Sequence, residues 1–267
     1  MNAVVAGPQT GKTVILLHGF PEFWYSWRRQ IPVLAAAGFR VVAPDQRGYN
    51  QNSKPPLVSD YHIDKLTADV LAIADQLGAA RFCLAGHDWG AAVAWNVAIQ
   101  HPDRLERLAI LNVPHPSAML KYLRTQPRQM LRSWYILSFQ IPALPERLFS
   151  AHHFQAGTRA LLDSSRPGTF SPADLELYRQ AWAQPGAMTA MINWYRAIFR
   201  ARPVFGRVTT PTRILWGMRD RFLLPGLAAE SLQYCDRGEL LPFPGATHWV
   251  HHEEADRVNQ LLIELFS

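Results

Sequence analysis

Cysteine is scarce: Cys83 and Cys235 are the two among 267 residues. Two cysteines cannot make a disulfide framework, and Cys83 falls inside an apolar run that reads as a core strand. A packed core must therefore supply the stability, and a reducing, cytoplasmic setting is the expectation. No apolar run reaches the roughly 18 residues of a helical membrane span. The N-terminus shows no basic-then-apolar pattern, so no secretory signal is expected. Internal repeats and low-complexity tracts are absent, which argues against solenoids and disordered chains. No basic run is interleaved with stacking aromatics, so nucleic acid is not an expected partner. Acids are thin in one region. Residues 115–205 carry ten arginines and one lysine against four acids, while the remainder carries sixteen basic and seventeen acidic residues. The basic stretch reads either as a solvated helical surface or as an attraction for an anionic substrate or acidic partner.

What is present is a strand–helix rhythm. Short apolar runs at Val14–Leu17, Phe39–Ala43, Phe82–Ala85, Leu108–Leu111, Ile214–Trp216 and Leu240–Leu241 read as buried strands. Helical patterns fill Trp24–Ala37, Ile63–Leu77, Trp89–Gln100 and Glu254–Phe266. That alternation predicts an α/β fold, a mostly parallel sheet covered by helices on both faces. Between Pro114 and Pro211 the rhythm breaks. The segment is rich in arginine, aromatics and proline, and its clearest helices are Leu175–Trp182 and Met188–Phe199. It is expected to be an all-helical insertion, a cap of residues 115–205 on a core of residues 1–114 and 206–267. Such an insertion would cover the carboxyl ends of the strands, where open α/β sheets bind ligands. Only Asn2–Ala6 precedes Gly7-Pro8, so one early edge strand is expected to be missing.

The chemistry concentrates at Gly86-His87-Asp88-Trp89-Gly90. Gly-x-Ser-x-Gly is a strained strand-to-helix elbow that lifts a serine above a sheet, and here Asp88 occupies the serine's place. A carboxylate at a helix N-terminus stays ionised. It is a weak base at neutral pH but a competent nucleophile toward an electrophilic sp3 carbon, giving an ester. Hydrolysis of that ester needs a base, and His248 follows the last expected strand. Asp220 follows the strand Ile214–Trp216 and can orient the imidazole. The order Asp88, Asp220, His248 matches the nucleophile–acid–histidine order of this fold class. The backbone N–H groups of Phe20 and Trp89 are placed to form an oxyanion hole. His18 reads as structural, as do Tyr122 and Tyr178. His251 and His252 read as surface residues opening the last helix, and no metal or organic cofactor is expected.

With these motifs the chain resembles the epoxide hydrolases of the α/β-hydrolase fold. His18-Gly19-Phe20-Pro21-Glu22, Pro44-Asp45-Gln46-Arg47-Gly48-Tyr49, Gly86-His87-Asp88-Trp89-Gly90, Asn193-Trp194-Tyr195-Arg196 and the Asp220/His248 pair carry the resemblance. It implies two cap tyrosines that hold and protonate the epoxide oxygen. Tyr135, in Tyr135-Ile136-Leu137-Ser138, and Tyr195 stand at the matching places. A phenol with a pKa of about 10 is a neutral donor at pH 7 and can protonate the more basic alkoxide. The expected reaction is epoxide plus water to a vicinal diol, a detoxification chemistry. Expected substrates are small apolar or aromatic epoxides. Trp89, Phe139 and Trp249 are candidate pocket residues, with Trp134, Trp182 and Trp194 as further candidates. A haloalkane or haloacid dehalogenase would share Asp88, His248 and an acid. Its halide cradle usually adds a donor where this chain has Phe20, and the two tyrosines would lack a purpose. A non-catalytic binding protein is the alternative of another class, and its signature would be a lost triad member. A homo-oligomer is left open.

Overall fold

The computed structural model describes residues 2–200 and 204–267; Met1 and residues 201–203, the latter near the expected end of the insertion, lie outside them. Its centre is a seven-stranded sheet. The strands are β1 (Ala3–Ala6), β2 (Thr13–Leu17), β3 (Arg40–Pro44), β4 (Phe82–His87), β5 (Leu105–Leu111), β6 (Thr212–Gly217) and β7 (Gly238–Phe243). They lie in the order β1-β3-β2-β4-β5-β6-β7. β1 pairs antiparallel with β3, and every other pairing is parallel. The Ala3–Ala6 segment, which the sequence left unassigned, thus supplies an edge strand.

β2 and β4 are buried along their whole length, as an apolar run covered on both faces must be. Side chains alternate between two cores. Val14, Leu16, Cys83 and Ala85 face one core with Leu34, Leu262 and Phe266. Ile15, Leu17 and Leu84 face the other with Val70, Val93 and Trp95. The first core is closed by α1 (Ile31–Ala36) and by the C-terminal helix Ala255–Phe266. The second is closed by α2 (Ile63–Gln76) and α3 (Trp89–Gln100). The single helix expected over Trp24–Ala37 is broken. A 3-10 turn covers Trp24–Trp27 and α1 begins at Ile31 with Pro32 in its first turn, where proline's missing N–H costs nothing.

After β3 the chain crosses to the other side of β2 before laying down β4. The strand order reverses there, and the carboxyl ends of β2 and β4 open a crevice at this switch point. Between β5 and β6 lie α4 (Pro116–Thr125), α5 (Pro127–Arg132), α6 (Trp134–Ser138), α7 (Leu144–Ser164), α8 (Pro172–Trp182) and α9 (Ala187–Ala197). Proline sits in the first turn of α4, α5, α7 and α8. Ser171 and Asp174 close a reciprocal capping box on α8, which fixes where that helix begins. α7 is interrupted, because His152, His153 and Phe154 take left-handed backbone angles. Two short helices, α10 (Gly226–Leu232) and α11 (Val250–Glu253), follow β6 and β7, and α12 is the C-terminal helix Ala255–Phe266.

Candidate active site

Asp88 has φ 48° and ψ −126°, a strained conformation for a residue with a side chain. It sits between the buried end of β4 and the first turn of α3. Two glycines permit the turn. A Cβ on Gly90 would stand 2.2 Å from the Leu17 carbonyl oxygen, and one on Gly19 would stand 2.2 Å from the Asp88 Cβ. With no side chain at Gly19, the Phe20 N–H reaches Asp88 Oδ1 at 2.7 Å. Asp88 Oδ2 lies 3.4 Å from His248 Nε2. Burial pushes the Asp88 carboxyl up, but the hydrogen bond and charge of His248 and the Phe20 N–H outweigh it, so the pKa falls and the group is ionised.

His248 lies in the turn between β7 and α11, and its Nδ1 is 2.7 Å from Asp220 Oδ2. Asp220 is heavily engaged. Its Oδ1 accepts from Phe222 N at 2.7 Å and Leu223 N at 3.0 Å, and its Oδ2 also accepts from Asn112 Nδ2 at 2.8 Å. Burial lowers the His248 pKa, but the charge and hydrogen bond of Asp220, then those of Asp88, override it and raise the pKa to about 10. Asn112 was not anticipated. It ends β5 with φ 50°, and its Oδ1 accepts from Gly217 N at 2.8 Å. It ties the β6 turn to Asp220. A polar residue at the carboxyl end of a strand was the signal available in the sequence.

Above these groups lies a cavity of about 650 Å³, lined by Asp88, His248, Tyr135 and Tyr195 together with Phe20, Phe139, Phe149, Phe222, Trp249 and aliphatic residues of α7. Tyr135 comes from α6 and Tyr195 from α9, with ring centroids 5.9 Å apart. Burial and then the Asp88 charge raise the pKa of Tyr135, and burial, Tyr135 and Asp88 raise that of Tyr195. Both phenols are neutral donors at physiological pH. Tyr195 is held edge-on against Phe20 at 5.2 Å, Trp89 at 5.0 Å and Phe139 at 4.9 Å.

Phe139, Trp249 and Trp134 line the cavity as expected, whereas Trp89, Trp182 and Trp194 do not. The indole of Trp89 packs between Tyr195 and Trp194 and supports the phenol instead. Trp182 and Trp194 tie the helical segment to the sheet: Trp182 Nε1 donates to the Pro21 carbonyl at 2.5 Å and Trp194 Nε1 to the Arg47 carbonyl at 2.9 Å. His18 is structural. Its Nε2 accepts from Gln46 N at 3.0 Å, and its Nδ1 donates to the Gly19 carbonyl at 3.1 Å.

His251 and His252 correct the surface assignment. Both are buried on α11. With His87 and Tyr178 they surround the buried Glu22, a cluster not visible in sequence. Glu22 Oε1 accepts from Tyr178 Oη at 2.7 Å and from His252 Nε2 at 2.7 Å. Burial raises the Glu22 pKa, but the charge and hydrogen bonds of these histidines hold it well below the usual carboxylate range. His87 Nε2 donates to the His248 carbonyl at 2.9 Å, fixing the backbone of that residue from below. The ligand atoms of Glu22, His251 and His252 lie within 4.8 Å of one another. Part of this set is already engaged, while Glu22 Oε2 and both ring nitrogens of His251 have no hydrogen-bond partner among the described residues. The Glu22 charge is already met by Tyr178 and His252, and the Arg28 guanidinium donates to the other His252 nitrogen at 3.3 Å.

An α/β hydrolase fold family profile matches residues 12–255. The chain is 43% identical to the AB hydrolase superfamily protein YfhM of Bacillus subtilis, over 99% of this chain and 93% of that protein. It is 39% identical to mouse epoxide hydrolase 4, over 97% of this chain and 74% of that one. Its fold matches an epoxide hydrolase of Bacillus megaterium, solved with an inhibitor, at a TM-score of 0.90 and 28% identity, covering 99% of this chain and 95% of the other.

Proposed function

The chain belongs to the epoxide hydrolases of the α/β-hydrolase fold, and from that premise we propose that it opens an epoxide to a vicinal diol through a covalent ester on Asp88. One observation carries the reading. Two neutral phenols, Tyr135 and Tyr195, share an apolar cavity with an ionised Asp88 and with His248. Helices α4–α9 act as the cap that holds the phenols over the sheet.

Asp88 Oδ2 is the attacking oxygen, since Oδ1 is already held by the Phe20 N–H. As the C–O bond of the epoxide breaks, Tyr135 and Tyr195 donate to its oxygen and one of them delivers the proton. Without that proton an alkoxide would have to leave, so the donors act where charge develops. His248 then takes a proton from a water that attacks the ester carbonyl. Charge builds on Asp88 Oδ1, where the N–H groups of Phe20 and Trp89 form the oxyanion hole. The bond from Oδ2 to the substrate stays intact and the acyl bond breaks instead, so Oδ2 leaves in the diol with the proton that His248 took from the water. The water oxygen enters Asp88, and the proton left on the Asp88 carboxyl returns to the tyrosinate, which restores the resting site. No step needs a metal or cofactor.

The first test is a product screen on styrene, terminal alkyl and fatty-acid epoxides beside chloro- and bromoalkanes. Diol with no halide release is expected. Halide release without diol would make the protein a dehalogenase, and neither product would make it a binding protein.

A further inference from the structure

The exposed arginines of the basic stretch have no part in the mechanism above, yet the stretch also supplies much of the cavity lining. From Pro116 to Ala160 there are five arginines and one lysine against a single acid, Glu146. Glu146 is taken by Arg196, at 2.5 Å. Lys121 is taken by Glu230, at 2.8 Å. Arg132 donates to the Asp220 carbonyl at 2.9 Å. Arg124, Arg128, Arg147 and Arg159 are exposed, and none of them makes an ion pair or side-chain hydrogen bond among the described residues.

The same surface is greasy. Leu131 is 73% exposed, Trp134 66%, Leu137 65% and Leu148 62%, and Ile141 and Leu144 are exposed as well. Trp134, Ile141, Leu144 and Leu148 also line the cavity, so they form its rim. The spacing puts basic and apolar residues side by side. Arg128, Leu131, Trp134 and Leu137 recur every third residue along α5 and α6, and Leu144, Arg147 and Leu148 share one face of α7. Contiguous exposed apolar surface of this kind marks an interaction site.

We propose that this face of α5–α7 docks on an anionic phospholipid surface, with the cavity mouth turned toward the bilayer. Apolar side chains would enter the acyl boundary, Trp134 would sit at headgroup level, and the unpaired arginines would meet lipid phosphates. A second copy of the chain is the wrong occupant, because it would set unpaired arginines against the same arginines. No described helix is long and apolar enough to cross a membrane, and the docking proposed is onto its surface. Docking there would let an apolar epoxide pass from the bilayer into the cavity. That consequence rests on the proposed reaction, whereas the docking itself does not.

The test is co-sedimentation of the full chain with phosphatidylcholine vesicles made with and without phosphatidylglycerol. Binding is expected only with the anionic lipid and should weaken as salt rises. The double variant Arg128→Gln/Arg147→Gln should lower the partition coefficient about 30-fold, from about five-fold for each basic residue near the surface. Leu131→Ser should lower it as well. None of these side chains lines the cavity, so hydrolysis of a water-soluble epoxide should hold at the parent rate whether or not vesicles bind. Equal binding to neutral vesicles, or no binding, would overturn the proposal. So would a dimer, seen by light scattering, that Leu131→Ser dissociates, or retention on an acidic polypeptide without vesicle binding.

Discussion

Asp220→Asn separates the two chemical steps. Four donors converge on the Asp220 carboxylate: Phe222 N and Leu223 N on one oxygen, Asn112 Nδ2 and His248 Nδ1 on the other. An amide replaces one acceptor oxygen by two donors, so either orientation fails somewhere. If the NH2 faces Phe222 and Leu223, two backbone donors are orphaned. If it faces Asn112 and His248, the Asn112 bond is lost and His248 must accept at Nδ1. Its proton then sits on Nε2, toward Asp88, where a base needs a lone pair. Each orphaned buried donor costs about 1–3 kcal/mol. The variant should therefore be less stable by about that amount in urea unfolding. Hydrolysis of the ester should fall roughly 100- to 10,000-fold, the scale of losing a correctly oriented general base. Alkylation needs only the Asp88 nucleophile and the phenols, so it should change less than about ten-fold. Pre-steady-state tryptophan fluorescence can follow both phases, because Trp249 stands 5.2 Å from His248. The defect should be smaller than that of His248→Gln, which loses the imidazole. A variant that loses alkylation while keeping hydrolysis would refute the assignment of Asp220 as the partner of the base.

Further predictions concern the phenols, pH and the oxyanion loop. Tyr135→Phe and Tyr195→Phe should each slow alkylation roughly 10- to 1,000-fold with hydrolysis of a preformed ester much less affected, and the double variant should be near inactive though folded, as pre-steady-state rates and circular dichroism would show. In the resting site His248 is raised to about 10 by Asp220 and Asp88 together, overcoming burial. Esterification removes the Asp88 charge and so lowers that pKa. Hydrolysis should accordingly rise with pH to a plateau, with a midpoint below that of the free enzyme, and single-turnover rates that fall as pH rises would contradict it. Gly19→Ala would place a Cβ 2.2 Å from the Asp88 Cβ and 2.6 Å from its Oδ1. It should cost about 1–3 kcal/mol of stability in thermal unfolding and slow both steps.

The parts of the fold and site that could be read from sequence are those written locally. Buried parallel strands appear as continuous apolar runs, which is why β2 and β4 were plain. Asp88, Asp220 and His248 could be named because each follows a strand within a short motif, and the structure brings the three together. Asn112 carries no motif, and only the pairing of β5 with β6 gives it Gly217 and Asp220 as neighbours. The Glu22 cluster joins residues far apart in sequence, so no local pattern marks it. His251 and His252 were misplaced for that reason: polar residues at a helix start usually face solvent, but here a buried carboxylate meets His252 and lies 3.6 Å from His251. The sequence gives the position of Trp89 at the elbow but not the direction of its indole, which in the structure packs against Tyr195 and Trp194. β1 was overlooked because its four residues have little periodicity until β3 lies beside them.

The covalent ester is the central claim, and His248→Gln tests it most directly. The variant keeps Asp88 and both phenols but lacks the base for hydrolysis. Incubated with an epoxide, it should gain one full substrate mass in intact-protein mass spectrometry, and peptide mapping should place the adduct on Asp88. An unmodified variant that turns over at the parent rate would contradict the account, as would an adduct on any other residue.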